Sequence, residues 1–131
     1  MHSVYEIIVL KFQFRILSAS FKSKKYSQNM EEGDLIFEIH HGGRFKNLNG
    51  LIYVGGDISI HGEGYDRDCM SFIEVESILK SYGYKRGDLV YYKQVGMNLD
   101  EGLVQIKIDP NVLKMIDCHK GVESVVLYTV S

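Results

Sequence analysis

Residues 35–60 read LIFEIHHGGRFKNLNGLIYVGGDISI. In Leu35–His41 the apolar residues Leu35, Phe37 and Ile39 share one face, the two-residue period of a strand. Gly42-Gly43 ends that strand, and Asn47–Gly50 is a turn signal. Leu51–Val54 and Ile58–Ile60 read as a second strand, interrupted by Gly55-Gly56. A glycine pair inside a strand pattern predicts a bulge or a close approach of backbones. Gly62-Glu63-Gly64 closes the segment.

Downstream, Ser71-Phe72-Ile73-Glu74 is a capping box, in which the Ser71 hydroxyl accepts from the Glu74 amide. Phe72, Val75, Ile78, Leu79 and Tyr82 follow at helical spacing, and Gly83 stands where a left-handed cap belongs. Asp88–Val95 and Leu103–Ile108 read as a third and a fourth strand. Asp109-Pro110 predicts an N-cap with proline at the first helical position. Val112, Leu113 and Ile116 give that helix its apolar side, and Gly121 stops it. Val122–Val130, rich in β-branched residues, is the last strand. The order ββαββαβ does not alternate as a doubly wound sheet does. It predicts an α+β domain with a mixed sheet and two helices on one face, the ubiquitin-like β-grasp arrangement.

The chain has 131 residues with 45% hydrophobic and 24% charged composition, nine tyrosines and six phenylalanines. That is one globular domain in size and make-up. Residues 1–29 hold five basic residues and one acid, for +4. Residues 30–131 hold ten basic and sixteen acidic residues, for −6. The boundary therefore falls near residue 33: 1–33 is a basic extension and 34–131 the domain. Three readings of the extension stand side by side: an extension from an upstream start with Met30 as the domain opening, an organellar transit peptide, and an added edge strand. No apolar run is long enough to span a membrane.

The acidic balance of the domain disfavours nucleic acid. An alternative reading keeps a DNA-associated accessory domain, using Lys11, Lys22, Lys24 and Lys25 as an arm. Two cysteines, Cys69 and Cys118, make no disulfide framework. Neither cysteines nor histidines show the closed spacing of a zinc site; the thiols are expected buried and the imidazoles at the surface. His40-His41-Gly42-Gly43 resembles an oxyanion-hole loop, but no G-x-S-x-G elbow accompanies it, and a strand end is the simpler reading. No catalytic set, metal, cofactor or small-molecule substrate is expected, so the protein is read as a non-enzyme. Asp100-Glu101-Gly102 and Asp109 are acidic residues on loops beside a sheet edge, a pattern able to recruit a basic partner surface.

FEIHHGGRF (37–45), YVGGD (53–57), SFIEVESILKSYGY (71–84) and LVYYKQVGMNLDEGL (89–103) together resemble the plant PB-one-like domain. That domain occurs at the N-terminus of plant Mutator-like element transposases and in related short plant proteins. The resemblance covers about residues 34–130 and implies a β-grasp interaction module without the transposase's catalytic domain. The related Phox/Bem domains pair front to back, an acidic motif meeting a lysine on the first strand of the next molecule. Asp100, Glu101 and Asp109 fall where the acidic motif lies. The first strand holds no lysine, and the nearest cations are Arg44 and Lys46. The resemblance implies a protein partner or self-association, in the nucleus or cytoplasm.

Overall fold

The computed structural model describes residues 34–131. The basic extension, with its three readings, lies outside the described residues. Strands β1 (Ile36–His41), β2 (Arg44–Asn47), β3 (Leu51–Val54) and β4 (Asp57–Ile60) come first. A 3-10 turn (Arg67–Cys69) then leads to helix α1 (Phe72–Lys80), β5 (Leu89–Lys93) and α2 (Leu99–Gly102). Strand β6 (Leu103–Gln105), α3 (Asp109–Cys118) and β7 (Ser124–Val130) complete the chain.

The main sheet has the order β4-β1-β7-β5-β6. β1 runs parallel to β7, pairing Phe37 with Val125 and Ile39 with Leu127, and the other pairings are antiparallel. First and last strands side by side, with β4 antiparallel beside β1 and β5 and β6 antiparallel beyond β7, make the ubiquitin-like β-grasp. The alternation read in the sequence builds its core. Phe37 and Ile39 of β1, Val90 and Tyr92 of β5, and Val125 and Leu127 of β7 bury their side chains with Val75, Ile78 and Leu79 of α1 and Val112 and Met115 of α3. Fully burying a side chain of this size contributes about 1.5–3 kcal/mol.

The sequence reading departs from the structure in the second strand. Leu51–Val54 and Ile58–Ile60 are not one bulged strand. β3 pairs only with β2, whose residues 44–46 the sequence reading assigns to no element, and their hairpin forms a separate two-stranded sheet. β4 alone returns to β1, with His41 opposite Asp57. Gly55 and Gly56, both at positive φ, let the chain leave the hairpin and turn back into the main sheet. The close approach expected of the glycine pair is present, since the Gly56 Cα lies where the backbones of residues 41–43 pass.

Ser71 caps α1 as expected, its Oγ accepting from the Glu74 amide at 3.3 Å. Asp109 does not cap its own helix. Ile108 holds the N-cap position of α3, and the Asn111 carboxamide oxygen accepts from the amides of Lys107 and Ile108 at 2.9 and 3.1 Å. The Asp109 carboxylate instead accepts from the Phe72 amide at 2.8 Å, stapling the start of α3 to the start of α1. A side-chain acceptor satisfies an orphan amide of a first helical turn whichever element supplies it.

Two further expectations reverse. Cys69 is exposed and Cys118 half-buried rather than buried. His40 and His119 are buried rather than at the surface. His119, 1% exposed, sets its Nδ1 2.6 Å from the Met115 carbonyl oxygen, so that nitrogen carries the donating hydrogen. Its own carbonyl accepts from Arg67 at 2.7 Å, and the other arm of that guanidinium reaches the Val122 carbonyl at 2.6 Å.

Burial lowers the His119 pKa below the usual 6.5; the Met115 bond opposes the shift, while the charges of Arg67 and Lys93 add to it. Below pH 6.5 the unfolded chain therefore binds a proton the native imidazole resists, and stability falls as pH falls from 6.5 through the lowered native value. Urea midpoints at pH 7.5 and pH 5 check this. Midpoints should drop on the acid side, and His119→Gln should flatten part of that drop.

Candidate interaction site

Asp100 and Glu101 sit on a short helix, not the loop expected. Lys93 donates to the Met97 carbonyl at 2.7 Å, closing the turn after β5. The Asn98 side chain then accepts from the Glu101 amide at 3.0 Å and caps α2. Asp100 and Glu101 therefore stand in a first helical turn, where negative charge is favoured. Asp100 is engaged: its Oδ1 accepts from the Leu51 amide at 2.9 Å and holds the hairpin near its tip. Asp109 is engaged as well, at Phe72. Glu101 is exposed, and its carboxylate pairs with no described residue.

The cations lie on the hairpin. Alternation along β2 sends Phe45 inward, against the rings of Tyr53, Tyr91 and Tyr128 at centroid separations of 5.3, 5.5 and 5.4 Å. Arg44 and Lys46 take the opposite face, across from Val54 and Ile52 in the β2–β3 register, and both are exposed. The Tyr53 hydroxyl fixes the hairpin to the sheet. It accepts from the Gly43 amide at 2.8 Å and donates to the Thr129 carbonyl at 2.7 Å. Burial raises the Tyr53 pKa, while those two bonds oppose the rise. Beneath it, burial, with Glu38 and Tyr53 adding, pushes Tyr128 up to about 12.

Sequence reasoning separated the acids and cations by more than fifty residues, and the fold brings part of each set together. Leu51, held by Asp100, is the neighbour of Ile52, which faces Lys46. Acidic helix and cationic hairpin thus adjoin. Asp109 is not part of this grouping; it lies at the α1–α3 junction.

The family model of the PB1-like domain matches residues 31–131. The chain belongs to the PB1-like domain family. No curated protein and no solved structure matches it. In this PB1-like domain the β-grasp frame carries an extra β2–β3 hairpin between its first two sheet strands, and both cations of the candidate site ride on it.

The sequence reading passed over one buried feature of the PB1-like domain. Glu38 and His40 share the sheet face away from α1, and their side chains meet at 2.7 Å. Glu38 is 2% exposed, and its Oε1 has no hydrogen-bond partner among the described residues. The alternation of β1 does place both residues opposite Phe37 and Ile39. What hides their burial in the sequence is that their cover includes a hairpin ring, Tyr53, packed edge-on to His40 at 5.9 Å. Among the described residues no three histidine, cysteine, aspartate or glutamate side chains gather as a metal site. No helix there is long and apolar enough to cross a membrane.

Proposed function

We propose that this PB1-like domain is a non-enzymatic protein-interaction module, related to the N-terminal domain of plant Mutator-like transposases. Its contacts are the acidic residues Asp100 and Glu101 and the cations Arg44 and Lys46 where helix and hairpin adjoin, with Asp109 a separate acidic contact at the α1–α3 junction. The observation that carries the reading is the free charge at the adjoining helix and hairpin. Glu101, Arg44 and Lys46 are all exposed, and none pairs with a described residue. Asp100 and Asp109 each commit one carboxylate oxygen to the frame and leave the other for a partner. Exposed charges of this kind set orientation and encounter rate more than raw affinity.

Light-scattering mass of the full chain against concentration, at low and high salt, tests the reading. Self-pairing through these charges gives a mass that grows with concentration and shrinks as salt shortens the Debye length to about 3 Å at 1 M. Glu101→Lys and Lys46→Glu should each abolish that growth, and an equimolar mixture of the two variants should recover it. A constant monomer mass assigns the surface to a different protein. Pull-downs with the wild-type and Glu101→Lys chains then decide whether that partner reads this charge.

A further inference from the structure

Among the described residues, two buried side-chain oxygens have no hydrogen-bond partner, Glu38 Oε1 and Ser124 Oγ. They fall in one corner of the main sheet. Phe37 and Val125, paired in the parallel register, face the core, so Glu38 and Ser124, each one residue away, face the opposite side. Glu38 lies between Ile60 of β4 and Val126 of β7, with Ile36 beside it on its own strand.

A carboxylate walled by aliphatic side chains needs both its oxygens satisfied. His40 Nε2 serves Oε2 at 2.7 Å, and Oε1 is bare. A buried charge left uncompensated is costly, and a cation with a hydrogen to donate removes the cost. The chemistry of the corner therefore calls for a basic occupant.

The hairpin does not supply one. Its rings meet His40, Tyr91 and Tyr128, and its tip is tied through Leu51 to Asp100 of α2, beyond β5. Its cations, Arg44 and Lys46, take the face turned away from the sheet. Lys93, on the same sheet face as Glu38, is committed to the Met97 carbonyl. Ile36 stands four residues before His40, about 13 Å along the strand, yet is only 4% exposed.

The chain carries a basic segment of its own just upstream. Residues 1–29 hold five basic residues and one acid, and Lys22, Lys24 and Lys25 lie nine to twelve residues before Asp34. A stretch of that length extends about 30–40 Å, far more than the four residues from Asp34 to Glu38 span. Tethering gives such a segment an effective concentration on the order of mM at the corner, ahead of any free partner.

We propose that residues 1–29 dock on this corner of the sheet and bring a lysine of the Lys22–Lys25 cluster to Glu38 Oε1. The aliphatic surround of Ile36, Ile60 and Val126 takes the apolar residues that flank the lysines, Phe21 and Tyr26. The sheet face away from the helices is then covered by the chain itself. This inference goes beyond the interaction-module reading and does not rest on it.

Two variants of the full chain test it. The triple variant Lys22→Glu/Lys24→Glu/Lys25→Glu alters no residue of the described core. Its amide spectrum should move at Ile36, Glu38, Ile60 and Val126, all distant in sequence from the changes. Glu38→Gln keeps the shape of the side chain and removes only the charge. It should speed trypsin cleavage after Lys22, Lys24 and Lys25 at least about tenfold, while cleavage after Lys80 and Arg86 inside the domain keeps its rate. Faster cleavage at every site would mean that Glu38→Gln loosens the fold, and the triple variant alone then decides. Unmoved amides around Glu38 in the triple variant would overturn the proposal. So would an unchanged cleavage rate in Glu38→Gln, or shifts confined to α2, where the lysines would be reading Asp100 and Glu101 instead. Neither variant touches Glu101, Arg44 or Lys46, so failure here does not alter the light-scattering result, nor the reverse.

Discussion

Alanine at Gly56 should destabilise the domain by about 2–5 kcal/mol, combining a left-handed backbone cost and an overpacking cost. Gly56 has φ +70, where a β-carbon is disfavoured. An added Cβ would collide with the His41 carbonyl oxygen and stand 2.6 Å from the Gly43 amide nitrogen and 2.7 Å from the Gly42 carbonyl carbon. All three are backbone atoms that no rotamer change can move. Gly83→Ala is the control, because Gly83 has φ +87 and open space where its Cβ would stand. It should show only the conformational cost, about 1–2 kcal/mol. Urea unfolding of the two variants separates the contributions; equal losses would mean that the crossing of the Gly42-Gly43 and Gly55-Gly56 backbones is not close-packed in solution.

Phe37→Ala should cost about 3–5 kcal/mol, the range for removing a fully buried aromatic ring. Phe37 sits on the central strand, between β4 and β7, and its ring packs against Tyr65 at 6.1 Å. Neighbours on paired strands cannot collapse into the space without breaking register, so most of the cavity should persist. In a domain of this size the melting temperature should fall by on the order of 20 °C. Ile73→Ala, on an exposed helical position, should stay within about 0.5 kcal/mol of wild type.

The parts of the fold legible in sequence were those written in local period. Leu35, Phe37 and Ile39 announced a strand, and Phe72, Val75, Ile78 and Leu79 a helix, because burial on one face imposes spacing wherever one face is buried. The hairpin was hidden for a physical reason. Its inward residues are Phe45 and Tyr53 and its outward ones Arg44, Lys46 and Ile52, so only two rings mark its buried side. Four-residue strands offer too few repeats for the period to show. Yet Asn49-Gly50, with Asn49 at φ 57, is the dipeptide that two-strand turns favour, and it was the available signal.

Asp109 misled for the opposite reason. The Asp-Pro pair is a sound local cap signal, but the Phe72 amide, distant in sequence, claims the carboxylate. Of the candidate site, the residue types were readable and the engagements were not. Asp100 looks like Glu101 in the sequence; only the fold ties one to Leu51 and leaves the other exposed.

The register of β1 on β4 places His41 directly across from Asp57, so the fifteen-odd residues between them leave and re-enter the sheet at a single rung. Topologically they are a cassette: a two-residue turn would join the rung and restore an ordinary first hairpin of the grasp. What keeps the cassette from being interchangeable is its underside, where Phe45 and Tyr53 shield Tyr91, Tyr128 and His40. A graft that changes only the outward positions 44, 46 and 52 could therefore rewrite the charge this domain shows its surroundings while leaving its foundations alone.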